Sequence, residues 1–515
     1  MGILSKFIPM LASKKMKQAG YWVNNPVETI NEKLMSMLEI QQNTAIGRQY
    51  DFGSISSPEE YAERVPLMDY KAMVPYLEKV YQNPAGGVLT ADPVIWYCQT
   101  SGTTGHPKNL PVTGLGMADY SAGSTLSQMA FIKAAKGNGK IFDGRIVMFG
   151  APAKMDEIAG IPVGYMTGIV SSLGTSPILK KIIIPGNDIY NLTDMDEKMR
   201  AYAELTVQNN VTTFAGITTL VLAFYRRMQN EYGPWLLERL KGTKHDTKIR
   251  ESMNDDGTVN LETLWPNLRQ MIITGIDTDP YREWISSILP TTTLWEAYAG
   301  SEAWYACNLY PDAGLHILPQ LNYLEFIPES ETEKEDPQTV HLADLKKGGR
   351  YEIVLTNLNG WYRYRVGDML TITGTDPYTI ASIGRKGRVV NLSGEKLSDA
   401  HVSRAIAHAS VKTGAEVLDY TVVGQVTGGL PHYIIAAMFR NDNVDAVEFV
   451  GAFEDNIRTH NEEFRIVRDM EALGATLLMK MKSSHYEGLV SESHIQRKPV
   501  PLTTDTEVLA LCEAY

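Results

Sequence analysis

The stretch Thr100-Ser101-Gly102-Thr103-Thr104-Gly105-His106-Pro107-Lys108 has the composition of a polyphosphate cradle. Gly102 and Gly105 let the backbone approach an anion closely. Ser101, Thr103 and Thr104 carry hydroxyl donors, turned backbone N–H groups add more, and Lys108 adds a cation. The spacing is not that of a Walker loop, which requires GxxxxGK[ST]; an ordinary flexible turn is the alternative. A second set, Tyr298-Ala299-Gly300-Ser301-Glu302, joins an aromatic ring able to stack on a purine to one carboxylate. Such a carboxylate suits Mg²⁺, which is commonly held by one or two carboxylates plus phosphate oxygens. A glutamate after a surface turn is the plain alternative.

In Tyr362-Arg363-Tyr364-Arg365-Val366-Gly367-Asp368, the aspartate can accept both hydroxyls of a ribose, because an ionised carboxylate offers two acceptor oxygens. The same residues also fit a hairpin with a cross-strand Arg–Asp pair, worth little if exposed. Gly384-Arg385-Lys386-Gly387-Arg388, followed by Ser393-Gly394-Glu395-Lys396, suits a hinge, since Gly387 absorbs large changes of φ and ψ. Gln496-Arg497-Lys498-Pro499 places a lysine late in the chain, where solvated lysines are common.

The elements that must position these groups follow from periodicity and punctuation. Residues 20–80 read as helical, with Leu34, Met37, Leu38 and Ile40 on an apolar face. Strands are expected at 93–99, 145–149, 269–274 and 291–298, and helices at 194–208, 217–230 and from Asp279-Pro280 to Ile288. That alternation implies a mainly parallel α/β sheet. Pro328 to Gln338 is acidic and bounded by proline, a surface excursion. Strands at 350–356 and 369–374 follow. The pattern then turns α+β: helix 399–411, strands 417–423 and 433–439, helix 444–460. The expected fold is a large N-terminal α/β domain, residues 1–384, and a smaller C-terminal α+β domain, residues 385–515.

The chain has 515 residues, with 48 Lys+Arg against 60 Asp+Glu and a formal charge of −12. That balance argues against generic nucleic-acid binding. Cys98, Cys307 and Cys512 are far apart and form no CxxC, which reads as a reduced, cytoplasmic protein. His401 and His408 share a helix face but lack partner ligands for zinc. No apolar run reaches the roughly 20 residues that span a bilayer. The opening segment has Lys6 where a myristoylation signal needs Ser or Thr, and it lacks a small-residue cleavage site. It reads as a helix packed on the body. Lys14, Lys15 and Lys17 leave contact with a membrane surface as the alternative.

The order of the motifs, namely phosphate loop, aromatic-Glu, Gly-Asp, hinge and late lysine, resembles the adenylate-forming superfamily of firefly luciferase, acyl-CoA synthetases and peptide-synthetase adenylation domains. Longer stretches resemble its acyl acid amido synthetase branch, the Gretchen Hagen family, which conjugates plant hormones to amino acids. These are Leu264 to Gly275, Tyr298 to Leu309, Gln320 to Pro328, Gly360 to Asp368 and the Gln-x-Lys-Pro near the end. The likeness covers nearly the whole chain. Gly300-Ser301 stands where plant members usually have Ser-Ser, and TSGTTGHPK is closer to the wider superfamily.

The resemblance implies a phosphate loop at Ser101, Gly102, Thr103, Thr104 and Gly105 with Lys108 beside it. It implies Mg²⁺ at Glu302, an adenine site lined by Tyr298, Ala299 and Gly300 with Gly275 opposite, and Ser301 among the nucleotide-binding residues. Asp368 would take the ribose hydroxyls and Arg385 a nucleotide contact. Lys386 and Gly387 would form a hinge, and Lys498 would act on the α-phosphate and the acyl carboxylate. The implied activity uses ATP and Mg²⁺ to join a small carboxylic acid to an amino acid through an acyl-adenylate. A thioester-forming acyl-CoA ligase, and a nucleotide-binding protein without turnover, are the alternatives. The acid pocket is expected around 160–175 and after Phe214 to Ile217, with hydroxyls from Thr167, Ser171, Thr218 and Thr219.

Overall fold

The computed structural model describes residues 4–100, 108–173, 181–192, 194–274, 282–311, 313–385, 389–440, 444–481 and 501–514. The opening helix Leu4–Asn24 lies on the body, with Ala12, Ala19 and Val23 in a core shared with Phe131 and Trp295. The next, Pro26–Gln41, buries Ile30, Leu34, Met37, Leu38 and Gln41. That is a helical stripe at i, i+4, i+7, i+8 and i+11. Ile40 falls off the stripe and is exposed, contrary to the expected face.

The strands centre on an eleven-stranded sheet among the described residues. One half is parallel: Ile183–Ile184, Arg145–Met148, Val211–Ile217, Gln270–Thr274 and Thr293–Ala299 lie side by side. The other half is antiparallel. It runs from Thr293–Ala299 through Trp304–Cys307, Leu315–Ile317, Tyr378–Arg385, Tyr364–Thr375 and Arg350–Thr356 to Tyr323–Pro328. The expectation of a mainly parallel sheet is therefore corrected. The strands at 304–307 and 315–317 are too short to show a period of their own, so the turn into the antiparallel half left no mark in the pattern.

A four-stranded sheet carries Val94–Thr100, Lys108–Thr113, Ile161–Gly164 and Asp156–Ile158. Beyond Arg385, a five-stranded sheet is built on the long hairpin Val417–Thr427 and Leu430–Phe439. The helices Asp399–Thr413 and Ala446–His460 supply its core through Val402, Ala405, Phe449 and Phe453. His401 caps the first of these helices, its Nδ1 accepting from the Ser398 amide at 3.3 Å.

Candidate active site

The carboxyl ends of the parallel strands meet at one edge, where Met148, Ile217, Thr274 and Ala299 stand. In open parallel sheets ligands bind outside that edge. The Thr274 hydroxyl ties two of the strand ends together, donating to the Ala299 carbonyl and accepting from its amide, both at 3.3 Å. The chain then turns sharply. The Gly300 amide donates to the Ala303 carbonyl at 2.9 Å. Asn357 Nδ2 donates to the Glu302 carbonyl, also at 2.9 Å. A Cβ on Gly300 would come within 3.1 Å of a Glu302 carboxylate oxygen, so that carboxylate lies folded back over the turn.

Tyr298 reaches across the sheet. Its hydroxyl donates to Asp368 Oδ2 at 2.7 Å, and its ring stacks on Tyr305 with centroids 4.4 Å apart and 21° between planes. Tyr298 is buried, so one face of the expected purine platform is already covered by protein. Asp368 stands opposite Arg385 in the antiparallel register, and Met369 opposite Gly384.

The arginines before Asp368 do not pair with it. Arg363 chelates Glu325 through Nε and Nη2 at 2.9–3.2 Å, and its Nη1 donates to the carbonyls of Ala62 and Val65. Arg365 Nη2 meets Glu352 at 2.5 Å. Those two arginines form Arg–Glu pairs instead, with partners on strands Tyr323–Pro328 and Arg350–Thr356.

Thr100 and Lys108, which flank the glycine-rich segment in the sequence, are register partners on two antiparallel strands. The Lys108 ammonium lies 4.6 Å from the centre of the Tyr70 ring. Ser101, Gly102, Thr103, Thr104, Gly105, Gly275, Lys386, Gly387 and Lys498 lie outside the described residues, as does the Arg385 side chain.

Below the turn, the buried Cys98 thiol lies near Ser301 and Glu302. Burial, reinforced by the Glu302 charge, pushes that thiol up to about 12. It stays protonated at neutral pH and cannot serve as a nucleophile. Burial also raises the Tyr120 phenol, again with Glu302 adding to the effect. Asp119, Tyr120, Glu302, Trp304, Asn322 and Asn357 line one cavity behind the turn.

On the other side of the edge, Thr167 accepts from the Ala151 amide at 3.1 Å, and the Ser171 hydroxyl sits 2.9 Å from Met148 Sδ. Thr218 donates to the Thr274 carbonyl at 3.0 Å. Three of the four expected pocket hydroxyls therefore gather at the carboxyl edge, and the Thr219 side chain lies outside the described residues. Burial raises the Tyr165 phenol, and the Glu462 charge adds to that.

Among the described residues, no three His, Cys, Asp or Glu side chains cluster as metal ligands. Glu302 alone matches the way Mg²⁺ is held when phosphate oxygens supply most of its shell. Sequence reasoning passed over Thr274, Tyr305 and Asn357. Asn357 carried no local signal, because its partner Glu302 is 55 residues away.

The GH3 family N-terminal domain pattern matches residues 15–294, more than half of the chain, and the GH3 family central domain matches residues 315–385. The chain belongs to the GH3 family. Among GH3 relatives, indole-3-acetic acid-amido synthetase GH3.2 of Arabidopsis thaliana is 23% identical over 485 residues, 82% of this chain and 86% of that protein. The 4-substituted benzoates-glutamate ligase GH3.12 of the same plant is 24% identical over 430 residues, 73% of this chain and 72% of that one.

The solved GH3.15 acyl acid amido synthetase in complex with 2,4-DB superposes with a TM-score of 0.64 at 18% identity, over 98% of this chain and 97% of that one. A 2-hydroxyisobutyryl-CoA ligase superposes at 0.50 and 13% identity, over 94% of this chain and 91% of that one. These likenesses establish a GH3-type fold, a large N-terminal α/β part with a smaller C-terminal part. Because an amide-forming and a thioester-forming enzyme share that fold, the acceptor has to be argued on other grounds. No helix among the described residues is long and apolar enough to cross a membrane.

Proposed function

We propose that this GH3 chain is an ATP-dependent acyl acid-amido synthetase, which activates a carboxylic acid as acyl-AMP and passes the acyl group to an amino acid amine. The observation that carries the reading is the meeting of the Tyr298–Glu302 turn with Asp368 at the carboxyl edge of the sheet, in a chain of the GH3 family.

The chemistry follows from leaving groups. A carboxylate is a poor electrophile because attack on it would have to expel oxide. Its oxygen instead attacks the α-phosphorus of ATP, and pyrophosphate leaves. The acyl carbon of the resulting mixed anhydride then accepts an amine, AMP departs, and the amine loses a proton. Asp368, held by Tyr298, would accept the ribose hydroxyls. Glu302 would hold Mg²⁺ together with phosphate oxygens, and the ion, once bound, offsets charge on the phosphates. The segment Ser101 to Gly105, with Lys108 beside it, would cradle the β- and γ-phosphates. Lys498 would neutralise the α-phosphate as pyrophosphate departs.

One arrangement of groups cannot be complementary to both transition states. The unit from residue 385 onward would therefore take two placements about Lys386 and Gly387. The acid would lie against Thr167, Ser171 and Thr218, among apolar neighbours suited to an aromatic or aliphatic acid.

The test offers ATP, Mg²⁺ and a mixed pool of carboxylic acids, with each amino acid and separately CoA as acceptor, and reads products by mass spectrometry. An amide that disappears in Lys498→Ala supports the reading and names both substrates. A thioester replaces it with the acyl-CoA ligase, and nucleotide binding without AMP release from any acid overturns turnover altogether.

A further inference from the structure

The turn Gly428-Gly429 closes the hairpin of Val417–Thr427 and Leu430–Phe439, with Thr427 paired to Leu430. Both glycines have positive φ, 56° and 74°, the backbone of a tight type I′ turn. The tip does not end in solvent. Arg226 Nη1 donates to the Gly429 carbonyl at 2.6 Å, and the Arg226 guanidinium lies 5.7 Å from the centre of the Trp284 ring. The indole sits so close under the turn that a Cβ at position 429 would come within 2.4 Å of it.

Around this contact, Arg227 Nε faces Glu471 at 3.9 Å. Val426 packs against the core around Phe214 and Trp265, while Leu220 and Ala223 pack into the C-terminal core. Leu220, Ala223, Arg226 and Arg227 all lie on one helix, Thr218–Asn230. Its first residue, Thr218, bonds to Thr274 at the carboxyl edge. A single helix therefore meets the candidate site at one end and carries the C-terminal unit along its length.

We infer that Arg226 and Trp284 are positioning residues, which grip the Gly428-Gly429 tip and fix one of the two placements of the C-terminal unit, so dividing the enzyme's effort between acid activation and acyl transfer. The inference rests on the two-step reading above. The chemistry of the contact suits a reversible latch: one charge-assisted hydrogen bond and one cation–π contact, both partly exposed, hold without being permanent. Glycine at 429 is required twice, for the positive φ and for the close approach to the ring. The contacts these residues make are with one another across the two units, so their effect passes through the placement of the unit they hold.

The experiment compares the full chain with Arg226→Ala, Trp284→Ala and Trp284→Phe. Two half-reactions are read separately with the acid identified by the product screen: acid-dependent exchange of labelled pyrophosphate into ATP, and transfer from synthetic acyl-AMP to the amino acid. Small-angle scattering of the ligand-free chain supplies a readout that needs no substrate. The expected result is a shift of at least about fivefold in the exchange-to-transfer ratio of both alanine variants, the lower end of ordinary coupling between sites. The direction names the half-reaction that the docked placement serves. Their scattering profiles broaden, and Trp284→Phe, which keeps an aromatic platform, restores both readouts. Equal loss of both half-reactions, or an unchanged ratio and profile, overturns the inference. A wild-type chain that performs neither half-reaction with any acid instead overturns the two-step reading, and scattering still reports whether the tip is held.

Discussion

At the scale of single residues, the contact that organises the candidate site joins Tyr298 and Asp368, which are 70 positions apart. Both stand out in the sequence, yet the bond between them is not legible there, because no local pattern encodes a partner at that distance. The buried Tyr298 ring cannot swing away from Tyr305, so its hydroxyl holds the Asp368 carboxylate in one orientation. Tyr298→Phe keeps the stack and deletes that bond. Hydrogen bonds to charged groups contribute about 1.5–3 kcal/mol, so the KM for ATP is expected to rise roughly tenfold or more while kcat changes little. Steady-state kinetics across ATP concentrations check this, and an unchanged KM would detach Asp368 from the nucleotide. Cys98, beside Ser301 and Glu302, and Cys307 are both held protonated by burial, each pushed up to about 12. Thiol alkylation of the folded chain at pH 8 is therefore expected to modify the half-buried Cys512 and to spare the other two, as a peptide map would read.

At the scale of elements, the strands and helices that alternate apolar and polar residues were legible, and their bounds fell within a few residues of those observed. Val94–Thr100, Gln270–Thr274, Arg350–Thr356 and Met195–Gln208 are examples. What was lost is what short pieces cannot carry. The strand Tyr364–Thr375 begins five residues before its expected start at 369, because Arg365 and Gly367 break the apolar run. The arginines explain themselves only in three dimensions: Arg363, with the uncommon positive φ of 43°, is buried against Glu325 and pins the carbonyls of Ala62 and Val65. This pair ties the helical N-terminal segment to the sheet that carries Asp368. Removing one partner of a buried pair leaves the other charge uncompensated, at a cost of about 3–5 kcal/mol. Arg363→Ala is therefore expected to lower the denaturation midpoint strongly. Arg350→Ala, whose partner Glu329 is exposed, should change it by no more than about 1 kcal/mol. Parallel urea titrations compare the two, and equal losses would refute the anchoring role.

At the scale of the whole molecule, Tyr378–Arg385 is the last strand of the large sheet in chain order, and the next described strand, Val389–Val390, pairs with Leu397–Ser398 instead of with that sheet. Residues 386–388 are thus the covalent connection between the strand that faces Asp368 and the unit that carries Lys498. Glycine at 387 suits the link that the two proposed placements would require, because it tolerates a wide range of φ and ψ. Gly387→Pro tests it from the backbone side. Proline fixes φ near −65° and removes the N–H, so it favours whichever placement tolerates that geometry and penalises the other. Neither placement loses a group that touches substrate. One half-reaction should therefore persist within a few-fold while the other falls at least tenfold, and overall amide formation should follow the slower of them. Pyrophosphate exchange and acyl transfer, measured separately on the same preparation, decide the matter. Two half-reactions that both proceed at wild-type rates would mean that the chain needs no rotation about 386–388, and that a single placement of the C-terminal unit serves both chemistries.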